Sequence, residues 1–275
     1  MRYTGIMTNV KLSVIIPSYK DPLLFKTIQS LIDNSELAKE ELEIIAVWDG
    51  YYPSSKLIIE DPRVRYIHLG KNRGMRGAIN AGMEIARGEF VARLDEHCSF
   101  GKGYDRILTE TCEPNWIVTP TRFFLDPIKW ELMDIPPVNF CKLVIKGNPP
   151  KFSGEVWKEK DEEMKDIMIG ETMAMQGSFW IMPRAWWQKV IGEMQTEGYG
   201  HLIQDSHEIV FKTWKAGGKL MLNKNTWHSH KHRDFPRMHN NGTPENPANC
   251  QNGYKYALDI WENYYRNEIV PIWKI

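Results

Sequence analysis

Four short apolar runs rich in β-branched residues stand in the first third of the chain: LSVIIP (12–17), LEIIAVWDG (42–50), RVRYIHL (63–69) and EFVARLD (89–95). Between them lie stretches of helical period. DPLLFKTIQSLIDNS (21–35) places Leu24, Ile28, Leu31 and Ile32 on one face, with Asp21 as its expected N-cap and Pro22 in its first turn, and RGAINAGMEIARG (76–88) follows the third run. Strands that are apolar on both faces and joined by helices belong to a parallel sheet with right-handed crossovers. In such sheets ligands gather at the carboxyl ends of the strands. The polar residues found there are Ser18 and Tyr19 after the first run, Asp49 at the end of the second, and Asp95 and His97 at the end of the last.

The second half is less regular. NWIVTPTRFF (115–124), TMAMQGSFWIMP (172–183) and KLMLNKN (219–225) read as strands, and RAWWQKVIGEM (184–194), SHEIVFKTWKAGG (206–218) and YKYALDIWENYYRN (254–267) as helices. Gly217 and Gly218 end the second of these helices. Residues 146–166 mix Pro, Gly and dense charge, which predicts an exposed, flexible loop or lid with some helix in its charged half. The expected organisation is a single α/β domain of two halves, 1–115 and 116–275, the second including a C-terminal extension.

Bulk properties narrow the class further. Lys+Arg and Asp+Glu balance at 35 each in 275 residues, so no global field favours nucleic acid or an anionic membrane. The basic run KHRDFPR (231–237) leaves nucleic acid as a minor possibility. Cys98, Cys112, Cys141 and Cys250 lack C-x-x-C spacing, and no apolar run approaches the ~20 residues that span a bilayer. The expectation is a soluble cytoplasmic protein without a signal peptide, in which Met7 serves equally well as a start.

RLDEHCSF (93–100) packs two acids and a histidine behind an apolar run. Strand alternation brings Asp95 and His97 toward one point and turns Glu96 away. Taken alone, a D-x-H is more often a strand running into a charged turn. TWHSHKHRD (226–234) repeats the ambiguity, with His228, His230 and His232 at alternating positions of what is equally a solvated basic strand.

Taken in order, SVIIPSYKD, AVWDG, NRGMRGAINAGMEIARGEFVARLDEHC, MQGSFWIMPRAWW and QDSHEIVFKTWKAGGKL resemble the blocks of GT-A fold glycosyltransferases of family 2 and of the polypeptide N-acetylgalactosaminyltransferases, over most of residues 11–232. LDEHC is similar to the D-x-H-C of the latter group, where most family 2 enzymes have D-x-D. The resemblance implies transfer of a sugar from a nucleotide-sugar, expected to be a UDP-sugar and bound by the 1–115 half, to an acceptor hydroxyl on a glycan, protein or other molecule bound by the 116–275 half, helped by Mn²⁺ or Mg²⁺. A divalent cation offsets the charge that builds on the departing diphosphate, and an imidazole ligand tilts the choice toward Mn²⁺.

Residue by residue, the resemblance implies Asp95, His97 and His230 as metal ligands, with His228 as second choice for the third. It puts the nucleoside against Pro17, Ser18 and Tyr19, gives the base contact to Asp49, and sets Asn72, Arg73 and Arg76, with Asp95, near the diphosphate. WDGY keeps only the second acid of the family's D-D-G-S, with Trp48 in the first position. Inverting family 2 enzymes carry E-D-x-D/E at the start of the helix that ends in Gly-Gly, the second acid being the base. Glu208 matches the last acid, Asp205 the first, and Ser206 stands where the base would be, a pattern nearer the E-N-x-E of the N-acetylgalactosaminyltransferases. Asp205 is then either the base of an inverting enzyme or a helix cap in a retaining one, with a slight lean to retention. Trp180 reads as core, while Trp186 and Trp187 are open to a stacking role. A nucleotide-sugar pyrophosphorylase fits less well, because SVIIPSYKD lacks a Gly-rich phosphate loop. A non-catalytic sugar-binding relic fits less well because D-x-H and a distant histidine are intact.

Overall fold

The computed structural model describes residues 10–54, 57–232, 238–239, 243–244 and 247–275. The chain opens with β1 (Leu12–Ser18), α1 (Leu24–Asn34), β2 (Leu42–Asp49), β3 (Val64–Leu69), α2 (Gly74–Ile85), β4 (Phe90–Leu94), β5 (Cys98–Phe100) and α3 (Tyr104–Thr111). β1 pairs in parallel with β2 on one side and β4 on the other, and β3 extends the sheet beyond β2. Alternation on β1 feeds two cores. Val14 and Ile16 meet Leu24, Ile28 and Leu31 of α1, while Ile15 meets Ala78 and Ile79 of α2 on the opposite face. Gly82 lets α2 lie close, since a Cβ there would collide with the side chain of Ile15.

β6 (Trp116–Asp126), the two-residue β7 (Glu131–Leu132), β8 (Cys141–Lys146), β9 (Lys151–Val156), α4 (Lys158–Glu163), β10 (Ile169–Glu171) and β11 (Phe179–Pro183) follow. Next come α5 (Arg184–Trp186), a π-helical turn over Trp187–Ile191, α6 (Asp205–Lys215) and β12 (Lys219–His230). Two short strands, β13 (Met238–His239) and β14 (Thr243–Pro244), precede α7 (Pro247–Tyr264), a second π-helical turn over Tyr265–Ile269 and α8 (Val270–Trp273). The main sheet runs β10-β12-β6-β11-β4-β1-β2-β3, with β5 paired to β12. It is mostly parallel, but β11 is antiparallel to both β4 and β6, and β10 is antiparallel to β12. One sheet therefore runs through both halves of the chain. α1 and α3 cover one face, α2 and α6 the other.

The stretch expected as a loop over 146–166 holds more order than its composition suggests. β8 and β9 form a hairpin whose Gly147–Pro150 turn takes up the breakers, and the charged half is α4. The hairpin buries Leu143 and Phe152 against Phe211 of α6 and Ala257 of α7, a third core. The helix expected over 184–194 is instead the short α5 and its π-helical turn. Trp186 and Trp187 are buried with Trp180, which stacks on Trp187 at 5.9 Å, so neither faces a ligand. Among the described residues no helix is long and apolar enough to cross a membrane.

Candidate metal and nucleotide site

The chain order reverses between β1 and β4, and the site lies at the carboxyl ends of these two strands. Asp95–His97 is a bend between β4 and β5. Three hydrogen bonds pin it: Asp95 N–H donates to Ser178 O at 2.9 Å, Thr27 Oγ1 to Glu96 O at 3.0 Å, and Cys98 N–H to Thr27 Oγ1 at 3.0 Å. Because β5 pairs antiparallel with β12, Cys98 stands opposite His230. The bend and the strand end thus bring a carboxylate oxygen of Asp95 and a ring nitrogen each of His97 and His230 within 4.8 Å of one another.

His97 is buried, and its Nδ1 lies 2.9 Å from Asp21 Oδ2. Since a carboxylate only accepts, Nδ1 carries the proton and Nε2 presents a lone pair. That Nε2 is 3.1 Å from His230 Nε2, which is 3.2 Å from Asp95 Oδ2. Burial pushes the His230 imidazole down to about 4 despite Asp95, so it is neutral at pH 7. Burial would raise the Asp95 carboxyl, but Arg93, 2.8 Å away, together with His230 and His97 holds it well below the usual carboxylate range. Here His230 Nε2 donates to Asp95, and a bound cation would take the place of that proton; one carboxylate oxygen and two converging imidazole nitrogens are a donor set suited to a divalent cation of Mn²⁺ type.

The three alternating histidines of β12 share a face but differ in depth. His228 is fully buried against Ser178, Phe100 and Phe179, with Nε2 2.9 Å from Ser178 Oγ. His230 stands at the cluster, and His232 is exposed at the rim, its ring 5.1 Å from that of His230. Depth separates His230 from His228 in a way that alternation could not.

A cavity of about 320 Å³ opens on the cluster and is lined by Pro17, Ser18, Tyr19 and Asp49 as well as Asp95, His97 and His230. Ser18 Oγ bonds Tyr51 Oη at 2.5 Å, and the Tyr19 ring meets Tyr51 edge-on. Asp49 is buried, and Oδ1 accepts the Arg73 N–H at 2.6 Å. Burial outweighs that bond and raises the Asp49 carboxyl to about 6. Gly50 has a positive φ and runs so close to Asn72 that a Cβ would strike its backbone, which brings Asp49 to the loop before α2. Trp48 is buried beneath the sheet end, tilted on Tyr66 at 4.9 Å. A second cavity of about 420 Å³ shares Met75, Asp95, Leu202, His230 and His232 with the first and continues to Arg122 and to Asp205, Ser206 and His207 at the start of α6.

Several expectations require correction. Arg76 and Glu208 are completely buried and paired with each other, and neither lines either of these two cavities. Arg76 further donates to Ile203 O and Gln195 O and packs on Tyr199, while Glu208 also holds Lys212 at 2.7 Å. The pair joins α2 to α6. Asn72 and Arg73 meet Asp49 through Asn72 Nδ2 and the Arg73 N–H, while Gly74, Met75 and Ala78 line the first cavity there. Asp21 is not the N-cap of α1, which starts at Leu24 after Leu23; Oδ1 accepts the Leu23 N–H at 2.8 Å and Oδ2 holds His97. The residue capping α6 is Gln204, so Asp205 is the first residue of the helix. Glu96 is not turned away from the site: it is buried, lines the first cavity and accepts the Tyr19 N–H at 3.1 Å. Asp21, Glu96 and Arg122 were not legible as site residues: a helix-start signal explained the first, alternation discarded the second, and the third stood inside a strand.

Comparison with known proteins agrees with the fold. Residues 13–131 match the profile described as Glycosyl transferase family 2. The Bacillus subtilis (strain 168) protein named uncharacterized glycosyltransferase YkcC is 32% identical over 93 residues, covering 32% of this chain and 29% of that protein. Mouse polypeptide N-acetylgalactosaminyltransferase 12 is 22% identical over 281 residues, covering 93% of this chain and 44% of its own length. The crystal structure of GalNAc-T7 with UDP, GalNAc and Mn²⁺ superposes with a TM-score of 0.72 at 16% identity, over 95% of this chain and 50% of that one. The chain spans less than half the length of both curated relatives.

Proposed function

We propose that this chain, which carries a glycosyl transferase family 2 domain on the GT-A fold, transfers a sugar from a UDP-sugar to an acceptor hydroxyl with the help of Mn²⁺ or a similar cation. The observation that carries the reading is the convergence of Asp95, His97 and His230 in a cavity lined by Pro17, Ser18, Tyr19 and Asp49, with Asp95 and His230 also lining the second cavity. A divalent cation held by these three side chains would offset the charge of the leaving diphosphate. Asp21 fixes the ring of His97, and Arg93 holds Asp95 ionised, so both ligands are set before donor arrives. Pro17 and Tyr19 supply the wall for the base, and Asp49, tied to α2 through one oxygen, offers the other to a base N–H.

For stereochemistry we favour retention, because Ser206 stands where inverting relatives carry their base and Glu208 is sealed against Arg76. One observation supports a second reading: Asp205 lines the second cavity together with Asp95 and His230, where a general base for inversion would stand. NMR of the first-formed product separates the two; an inverted anomeric centre makes Asp205 the base, and its replacement by Asn then costs about 10²–10⁴-fold in rate with donor binding kept. The function itself is tested by a thermal-shift screen of nucleotide-sugars with and without Mn²⁺, followed by transfer assays. Stabilisation by UDP-sugars only with Mn²⁺ is the expected result. Equal binding and turnover in excess chelator would end the metal reading, and binding without any transfer or hydrolysis would favour a sugar-binding relic.

A further inference from the structure

Arg122 is an arginine of β6 that is 7% exposed and lines the second cavity. Its Nη1 donates to His232 Nε2 at 2.7 Å, its guanidinium lies 4.8 Å from the centre of the Phe124 ring, and its Nε is buried without an acceptor. No carboxylate among the described residues pairs with it. The other deeply buried arginines differ: Arg93 has Asp95 at 2.8 Å, and Arg76 has Glu208. Guanidinium keeps its charge in proteins, so burying one without an acid is unfavourable unless something else supplies the anion. Burial lowers the Arg122 pKa, and among the described residues no carboxylate offsets it.

The surroundings suit an anion borne by a ligand. α6 is eleven residues long and begins at this cavity with no side-chain cap, so its first N–H groups add positive potential to that of Arg122. The two acids on the cavity wall, Asp95 and Asp205, lie about Arg93, which feels both charges. Arg122 does not line the first cavity, where the nucleoside is assigned.

Resting on the donor reading above, we propose that Arg122 binds an anionic group, a carboxylate or a phosphate, carried by the acceptor. The acceptor class is then a hydroxyl compound with a nearby oxyanion, such as a sugar acid or a sugar phosphate. A guanidinium takes either anion through paired N–H donors, and His232 steadies one edge of it.

The test is calorimetry with three probes, methyl β-D-glucuronide, glucose 6-phosphate and neutral methyl β-D-glucoside, each with and without saturating UDP and Mn²⁺. Wild-type chain, Arg122→Gln and Arg122→Lys are compared. The wild type is expected to bind one or both anionic probes about tenfold or more tighter than the glucoside, in the presence of UDP and Mn²⁺ as well as in their absence. Arg122→Gln should lose that preference and Arg122→Lys keep part of it, with UDP affinity alike in all three chains. Whichever anionic probe carries the preference identifies the anion. Equal affinity of the wild type for all three probes, or an unchanged preference in Arg122→Gln, overturns the proposal. So does loss of the preference on adding UDP and Mn²⁺ together with weaker UDP binding by Arg122→Gln, which would assign the guanidinium to the donor diphosphate. Failure of UDP to bind at all would sink the donor reading, while the probe comparison on the free chain would still decide this one.

Discussion

Two polar clusters lie close together in this molecule and have opposite characters. At the cleft, Asp95, His97 and His230 point donor atoms at one another, and Asp95 keeps a quarter of its side chain open to solvent. Between α2 and α6, Arg76 and Glu208 are closed in completely, and their bonds are taken up by each other, by Lys212 and by backbone groups. Both clusters resemble stretches that carry function in related transferases. What separates them is saturation: a polar group whose bonds are all satisfied inside the fold has nothing left for a ligand, whereas a cluster whose donor atoms converge on one point does.

The comparison breaks most readily at the sealed pair. Glu208→Ala leaves Arg76 buried without its acid and is expected to cost about 3–5 kcal/mol of unfolding free energy, measured by urea denaturation. If stability is unchanged while transfer is lost, the pair is part of the active site after all. At the open cluster the expectation reverses. His230→Ala should lower metal-dependent transfer about 10²–10³-fold, with stability changed by less than about 1 kcal/mol. His228→Ala should do the opposite, lowering the urea midpoint and leaving Mn²⁺ affinity alone, because that ring packs in the core.

Asp21→Asn sharpens the picture with a smaller effect. An amide has one acceptor where the carboxylate has two, so the bonds from Leu23 N–H and from His97 Nδ1–H cannot both be kept as they are. Mn²⁺ affinity, read by electron paramagnetic resonance without any substrate, should fall about 10–100-fold. Unaltered affinity would reduce Asp21 to a helix-start residue. The smallest effect concerns Asp49. With its pKa raised to about 6, the folded form holds a proton that the unfolded form has released, so this contribution to stability is full below the unfolded carboxylate range and is lost as pH rises through about 6. Asp49→Asn should flatten the slope of stability between about pH 4 and 6. A slope identical to wild type removes Asp49 as its source.

How much of this could be read beforehand depended on which interactions each residue answers to. β1, β2 and β4 are buried on both faces and written almost wholly in apolar letters, which sequence inspection detects directly. The β8–β9 hairpin was missed because only one face is buried, and Lys142, Lys146, Lys151 and Glu155 dominate its letters while Leu143 and Phe152 do the packing. Asp95 and His97 were legible because they stand two positions apart at a strand end. His230 needed resemblance to known transferases, since nothing local distinguishes it from His228. Asp21 and Arg122 answer to partners that only tertiary structure supplies, at 76 and 110 positions' separation.

The pairing of β12 with β5 sets a timetable for the molecule. His97 and His230 are 133 positions apart, and the strand carrying the second is the last to join the main sheet in chain order. During synthesis the first four strands and their helices can assemble while His230 has not yet been made. An intermediate of that kind holds Asp95 and His97 without the partner that completes them, and closing so long a loop is among the slower events of folding. On the proposed metal reading, capacity to take up an ion would therefore report on completion: a chain that binds it tightly would already have its distant strand in place.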